Sequence, residues 1–191
     1  MSMTKRTFTG LCGTGLAAGL AGVARAGART SGETAYVFSF AGLESGRIRL
    51  SSFSGKPFMV VNTASHCGFT PQFAGLEALY RQFGPKGFGI VGVPSNDFYQ
   101  EPGDSSAIGK TATGEYHVTF PLAAKVHVVG DKAAPFYKWA AALRPLDVPK
   151  WNFHKYLIGA DGYIAAVFPT TTEPQAPEVL AAISRQLGGV G

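Results

Sequence analysis

The sequence contains two short, continuously apolar segments, residues 58–62 and 88–93, with a helical pattern between them. A short continuous apolar run predicts a strand that is buried on both faces. Between the two runs, apolar side chains recur at helical spacing over residues 73–83, and Thr70 and Pro71 match the residues preferred at an N-cap and at the first helical position. This strand–helix–strand unit argues for a layered α/β domain.

The rest of the chain continues the same alternation of strands and helices. Two segments have the turn residues of hairpins, and an Asp-Gly pair within the second one is a strong hairpin signal. The further predicted elements are a hairpin around residues 42–46, a short helix ending near Gly114, a strand at 126–128, a helix at 135–143, a hairpin over 156–168 and a final helix at 177–187.

The first 28 residues have the composition of an export signal. Lys5 and Arg6 precede an apolar run over residues 11–23, and small-x-small triplets follow it. A basic start, a short apolar centre and a small-residue exit are the three parts of a secretory signal. The Lys5-Arg6 pair resembles a twin-arginine signal, so both Tat and Sec export stay open. We predict a signal over 1–28 and one globular domain over 29–191, located in the periplasm or secreted.

Charge and cysteine content change when that segment is set aside. It holds three of the 17 basic residues and no acid, so the formal net charge falls from +5 to about +2. No basic run or RNA-type aromatic motif remains, so we predict no nucleic-acid partner, and no membrane span in the mature chain. Cys12 lies within the signal, which leaves Cys67 as a free thiol in the predicted mature domain.

Cys67 lies between a predicted buried strand and the start of a predicted helix. The N–H groups and the positive dipole end at a helix N-terminus favour a thiolate, which is the nucleophilic form of cysteine. Free cysteine is also among the most buried residue types, and a buried thiol is inert. Position alone therefore leaves a reactive and a structural Cys67 equally open.

Three segments carry a resemblance to a known family. Residues 62–70 read NTASHCGFT, residues 95–103 read SNDFYQEPG and residues 150–158 read KWNFHKYLI. In this order, they resemble the N-V-A-S-x-C-G-x-T, N-Q-F-G-x-Q-E-P-G and K-W-N-F-x-K-F-L-I signatures of the glutathione peroxidase family in its cysteine form. The resemblance covers the chain from residue 35 onward. It implies an α/β, thioredoxin-like fold in which helices flank a central mixed sheet.

The resemblance also implies roles for four residues. Cys67 aligns with the family's peroxidatic cysteine or selenocysteine, and Gln100, Trp151 and Asn152 align with the other members of its catalytic tetrad. Their amide and indole N–H groups are neutral donors, which can stabilise a thiolate without burying a second charge. The expected cycle begins when the thiolate attacks hydrogen peroxide or an organic hydroperoxide, and the resulting sulfenic acid is reduced by thiols.

Two of the departures from the family pattern bear directly on the site. The segment between Asn96 and Gln100 is one residue shorter than usual, with Asp97 where glutamine is common and Tyr99 where a Gly pair normally lies, so the position of Gln100 stays open. Many cysteine-type relatives carry a resolving cysteine where residues 111–115 here have none. We therefore predict a one-cysteine cycle, resolved by glutathione, another external thiol or a partner protein.

Two other function classes compete with a peroxidase. Thiol–disulfide exchange needs a C-x-x-C pair, but Thr70 occupies the second position. A non-catalytic redox sensor or binding module is the alternative, and it would consume peroxide no faster than a free thiol. We predict His66 to be a solvated loop residue, and the remaining histidines lack zinc-type spacing, so no metal or other cofactor is predicted. The short connection between Trp139 and Trp151 favours a monomer.

Overall fold

The computed structural model describes Met1 and residues 32–188. The predicted export signal therefore lies outside the described residues, and its boundary stays a prediction. The chain divides into a unit of Met1–Gly32 and a unit of Glu33–Gly191. Among the described residues, no helix combines the length and the apolar character needed to span a membrane.

The second unit contains six strands and four α-helices within the described residues, joined by short 3-10 turns. One further helical turn of the π type, Lys110–Glu115, directly follows the second helix. In chain order the elements are β1 (Ser39–Ala41), β2 (Arg47–Arg49), β3 (Phe58–Thr63), α1 (Gln72–Phe83), β4 (Gly89–Pro94), α2 (Ser105–Gly109), α3 (Pro135–Leu143), β5 (Lys155–Ile158), β6 (Ile164–Phe168) and α4 (Pro177–Gly188).

The main sheet has the strand order β4-β3-β5-β6. β3 and β4 pair in parallel, as the strand–helix–strand pattern requires, whereas β5 is antiparallel to both β3 and β6. The predicted Asp-Gly turn joins β5 and β6, with Gly162 at φ 82°, a left-handed conformation that favours glycine. β1 and β2 form a separate antiparallel hairpin. The sheet is therefore mixed, as predicted.

Every residue of β3 is buried, and successive side chains enter opposite hydrophobic clusters. Met59 and Val61 pack in a cluster with buried residues of α1 and α4, and Phe58 and Val60 pack in a second cluster with α3. This alternation follows from the two-residue period of a strand. β3 thus lies between two hydrophobic cores, one on each face of the sheet. This confirms the prediction of a central sheet flanked by helices.

The predicted strand at residues 126–128 is wrong. Val126 N–H donates to the Pro94 carbonyl at 3.0 Å, but the next pairing does not continue, because Val128 N–H donates to the Asp97 carboxylate at 2.6 Å. A strand requires a repeating backbone ladder, so this segment is extended without being part of the sheet. The alternation of apolar residues here reflects burial of Val128, which is 2% exposed.

Candidate active site

Cys67 lies in the loop between β3 and α1, the loop that the sequence singled out. It is a free cysteine and only 6% exposed. The backbone N–H of Phe69 donates to Cys67 Sγ at 3.4 Å. A hydrogen bond from a neutral donor stabilises negative charge on sulfur, so the turn after Cys67 supplies part of what a nucleophilic thiolate needs.

Thr70 does not cap α1, contrary to the sequence prediction. The helix begins at Gln72, and its N-cap position is Pro71, which has no side-chain cap. Thr70 Oγ1 instead accepts a hydrogen bond from Cys67 N–H and donates one to the Ala64 carbonyl, both at 3.0 Å. The hydroxyl therefore cross-links the cysteine loop to itself and fixes the backbone at Cys67.

Gln100 makes two contacts. Its backbone binds the Cys67 loop, and its side chain binds Asn152. The His66 N–H donates to the Gln100 carbonyl at 3.0 Å, and Asn152 Nδ2 donates to Gln100 Oε1 at 3.0 Å. The shortened segment before Gln100 contains Tyr99 at φ 59°, in the left-handed region. This turn brings Gln100 back to the residue preceding Cys67. The His66 side chain is exposed, as predicted.

Trp151 and Asn152 are held by the end of β3. Asn62, which is fully buried, donates through Nδ2 to the Trp151 carbonyl at 3.0 Å and accepts at Oδ1 from His154 N–H at 3.1 Å. Asn152 is also fully buried, whereas the Trp151 ring is 40% exposed and lies 5.5 Å from the Phe98 ring between centroids. Asn62 thus holds the turn that contains Trp151 and Asn152 against the end of β3, the strand that leads into the Cys67 loop.

Lys155, a buried lysine whose role the sequence did not predict, binds the turn at residues 151–153. Lys155 is fully buried, and its Nζ donates to the carbonyls of Phe153 at 2.7 Å and Thr172 at 2.8 Å. Burial lowers the pKa of Lys155 to about 7. Thr170 Oγ1 adds a hydrogen bond of 2.7 Å to the Asn152 carbonyl. The loop after β6 therefore holds the turn at residues 151–153, where Phe153 has φ 62°.

Glu101 places a carboxyl group beside the cysteine loop. Ser65 Oγ donates to Glu101 Oε2 at 2.9 Å, and Glu101 is 1% exposed. Burial raises the pKa of Glu101 above its ordinary value, although the Ser65 hydrogen bonds and the nearby His66 and Lys125 oppose this.

The four residues of the implied tetrad are thus connected, although they are not all in direct contact. Gln100 and Asn152 share a hydrogen bond, Trp151 is adjacent to Asn152 in sequence, and the Cys67 loop contacts Gln100 through His66. Across Met1 and residues 32–188 there is no group of three or more His, Cys, Asp or Glu side chains suited to a metal ion. The catalytic assignment of the four residues stays a prediction.

A mixed sheet flanked by helices, with a cysteine in the loop after its inner strand β3, is characteristic of the thioredoxin-like fold. The chain superimposes on a thiol:disulfide interchange protein of the thioredoxin family from Chlorobium tepidum with a TM-score of 0.62, 17% identity and coverage of 84% of this chain and 100% of the other. It superimposes on the apo form of Trgpx with a TM-score of 0.67 and 33% identity, covering 82% of this chain and 97% of that one.

Residues 35–141 match the glutathione peroxidase family. The chain is also 41% identical over 164 residues to the hydroperoxy fatty acid reductase gpx1 of Synechocystis, a match that covers 81% of this chain and 96% of the relative. The chain belongs to the glutathione peroxidase family. It is a peroxidase that reduces hydroperoxides at the expense of thiols.

Proposed function

We propose that Cys67 is the peroxidatic residue of a one-cysteine cycle. Its thiolate attacks a peroxide oxygen, so that an S–O bond forms, the O–O bond breaks and water or an alcohol leaves with a proton. One thiol then condenses with the sulfenic acid, releasing water and forming a mixed disulfide. A second thiol attacks that disulfide and regenerates Cys67. The observation that carries this proposal is the buried Cys67 sulfur with the Phe69 N–H donating to it.

Gln100, Trp151 and Asn152 assist the first step by supplying neutral donors. A carboxylate or ammonium at this position would change the charge of the site, whereas amide and indole N–H groups stabilise the sulfur and the leaving oxygen without doing so. The hydrogen bond between Asn152 and Gln100 supports a joint role, because it orients one amide by means of the other.

The electrons come from an external thiol, glutathione or a thiol of similar reactivity. The π-helical turn Lys110–Glu115 contains no cysteine, and the other cysteine of the sequence, Cys12, lies in the proposed export signal. The proposed mature domain therefore has no second cysteine with which Cys67 can form a disulfide. Peptide mapping under non-reducing conditions after peroxide treatment should give adducts of Cys67 with the added thiol, and an intramolecular disulfide would overturn the proposal.

The substrates are hydrogen peroxide and organic hydroperoxides. Similarity to a protein named as a hydroperoxy fatty acid reductase supports the inclusion of large hydroperoxides. The partly exposed Trp151 ring supports it too, since an indole offers an apolar surface beside the site. Rates with hydrogen peroxide, cumene hydroperoxide and linoleic acid hydroperoxide should all exceed the rate of a free thiol.

The enzyme works outside the cytoplasm, as a monomer, after removal of residues 1–28. The basic start and small-residue exit of that segment support export. Fractionation of expressing cells should yield a periplasmic or secreted protein, and its mass should show cleavage near residue 28. Full-length protein confined to the cytoplasm would contradict this, and light scattering of the mature protein tests the monomer.

The first experiment is stopped-flow tryptophan fluorescence of the mature protein mixed with hydrogen peroxide. Trp139→Phe leaves Trp151 as the single tryptophan, so a signal in that background reports from the proposed site. A fast phase that disappears in Cys67→Ser supports the peroxidatic role. A rate equal to that of free cysteine would favour a redox sensor or binding module instead.

A further inference from the structure

Asp97 ties the shortened loop before Gln100 to a neighbouring segment. Its Oδ2 accepts hydrogen bonds from Val128 N–H at 2.6 Å and from Val129 N–H at 3.1 Å, and its Oδ1 lies 2.5 Å from His127 Nδ1. The Asp97 side chain is only 10% exposed, whereas that of His127 is 57% exposed. The Asp97 carboxylate therefore makes three contacts with the segment at residues 127–129.

The residues that follow Asp97 contact the proposed tetrad. Phe98 packs on the Trp151 ring at 5.5 Å between centroids. Gln100 accepts from His66 N–H with its carbonyl and from Asn152 Nδ2 with its side chain. The loop is thus held on one side by Asp97 and on the other by the contacts of Gln100, and Glu101 N–H adds a hydrogen bond of 2.9 Å to Asn96 Oδ1.

We propose that Asp97 is a positioning residue for peroxide reduction, which acts by holding Gln100 against Asn152. The inference rests on the proposed function of the tetrad. The shortened loop has few residues with which to absorb a displacement, because only two residues separate Asp97 from Gln100 and one of them, Tyr99, has φ 59°. We therefore expect loss of the anchor at Asp97 to displace Gln100.

An ionised carboxylate suits this anchor. Two separate oxygens serve the His127 ring and the pair of N–H groups, whereas an amide side chain has a single acceptor oxygen. Burial alone would raise the pKa of Asp97, but the hydrogen bonds from His127, Val128 and Val129 outweigh it and lower that pKa. Val128 is 2% exposed, so its N–H would lose its partner without Asp97.

The test compares rates of Cys67 oxidation by hydrogen peroxide in Asp97→Ala and Asp97→Asn with the wild type. We expect Asp97→Ala to be slower by about tenfold or more, and Asp97→Asn to fall between the two, since misplacement of a catalytic group by about 1 Å costs up to about a hundredfold. Asp104→Ala is the matched control, because Asp104 caps α2 by accepting from Ala107 N–H at 3.0 Å and contacts neither Gln100 nor residues 127–129. Its rate should match the wild type.

A double-mutant cycle with Gln100→Ala separates positioning from general loss of structure. If Asp97 acts through Gln100, the rate defect of Asp97→Ala shrinks to less than about twofold in the Gln100→Ala background. An equal defect in both backgrounds, or no defect at all, overturns the proposal. Should Asp97→Ala not fold, as judged by circular dichroism, Asp97→Asn completes the same cycle. Cys67→Ser distinguishes a failure of this proposal from a failure of the proposed function. If Cys67 is not the peroxidatic residue, that variant retains the fast fluorescence phase with hydrogen peroxide.

Discussion

Asn152 donates a hydrogen bond of 3.0 Å to Gln100 Oε1, across 52 positions of the sequence. This bond fixes the orientation of the Gln100 amide, because an oxygen that accepts from Asn152 leaves the Nε2 group as the donor. The pairing connects the segment after β4 with the turn before β5. It therefore makes the geometry of one proposed catalytic amide depend on the other.

Replacement of Asn152 should slow oxidation of Cys67 without unfolding the protein. We expect Asn152→Ala to lower the second-order rate with hydrogen peroxide by about tenfold to a hundredfold, since the Gln100 amide loses its partner. Gln82→Ala, an exposed amide on α1, is the control and should react at the wild-type rate. Stopped-flow fluorescence measures the rates, and a folded Asn152→Ala enzyme with unchanged kinetics would contradict the joint role.

Removal of the Thr70 hydroxyl should destabilise the cysteine loop. Thr70→Val keeps the shape of the side chain but leaves Cys67 N–H and the Ala64 carbonyl without their partner. We expect a loss of about 1–3 kcal/mol in the free energy of unfolding, the usual cost of a buried unsatisfied group. Thr70→Ser should recover most of it. Urea unfolding of both variants measures these differences. If Thr70→Val and the wild type unfold at the same urea midpoint, the hydroxyl does not stabilise the loop.

Glu77 should stabilise the protein only where it is ionised. It accepts from Arg81 Nε at 2.7 Å and from Thr119 N–H and Oγ1 at 2.8 and 2.7 Å. Burial alone would raise the pKa of Glu77, but these hydrogen bonds outweigh it and lower that pKa below 4.5. Its contribution is therefore present above about pH 4.5 and is lost as the pH falls through the native value.

Glu77→Gln tests this dependence on pH. At pH 7 the variant should lose about 1–3 kcal/mol in the free energy of unfolding, because an amide accepts fewer of these hydrogen bonds. The difference in the free energy of unfolding between Glu77→Gln and the wild type should become smaller as the pH falls below about 4.5. Glu115→Gln, an exposed glutamate, should show no gap at either pH. A difference that stays constant from pH 7 to pH 3 would be inconsistent with the ionisation argument.

Lys155 should make stability rise with pH in the alkaline range. Burial lowers its native pKa to about 7, while the unfolded chain has the ordinary value of 10.5. Between these values the unfolded state binds a proton that the native state does not, so the free energy of unfolding increases with pH. Lys155→Met removes that increase. Urea titrations at pH 7, 8 and 9 measure it, with the exposed Lys132→Met as a control that keeps the wild-type slope.

The sequence predicted those elements whose signal is local. β3 and β4 were predictable from continuous apolar runs, and the β5–β6 hairpin from the Asp-Gly turn at Gly162. Both signals depend on neighbouring residues alone. The segment at residues 126–128 has a similar pattern, but its N–H groups bind Asp97, a residue about thirty positions away that no periodicity reveals.

The sequence predicted the proposed catalytic residues better than it predicted the residues that hold their loops in place. Three motifs identified Cys67, Gln100, Trp151 and Asn152 through a family resemblance. Thr70 was assigned to a helix cap because the same residue type suits a cap and a loop cross-link. Lys155 matches the second lysine of the third family motif, but the strand pattern gave no sign of its burial, since a lysine in a strand is usually exposed; the carbonyls of Phe153 and Thr172 accept from it in the core.

The π-helical turn Lys110–Glu115 has no cysteine, and under the proposed cycle this governs the fate of the oxidised Cys67. Under the one-cysteine cycle, the sulfenic acid at Cys67 persists until a thiol arrives from solution. A second peroxide molecule competes for it and gives a sulfinic acid, which thiols do not reduce. The number of turnovers that one molecule completes is thus set by the ratio of thiol to peroxide around it. Under this cycle, we expect the enzyme to lose activity when peroxide outlasts the thiol supply.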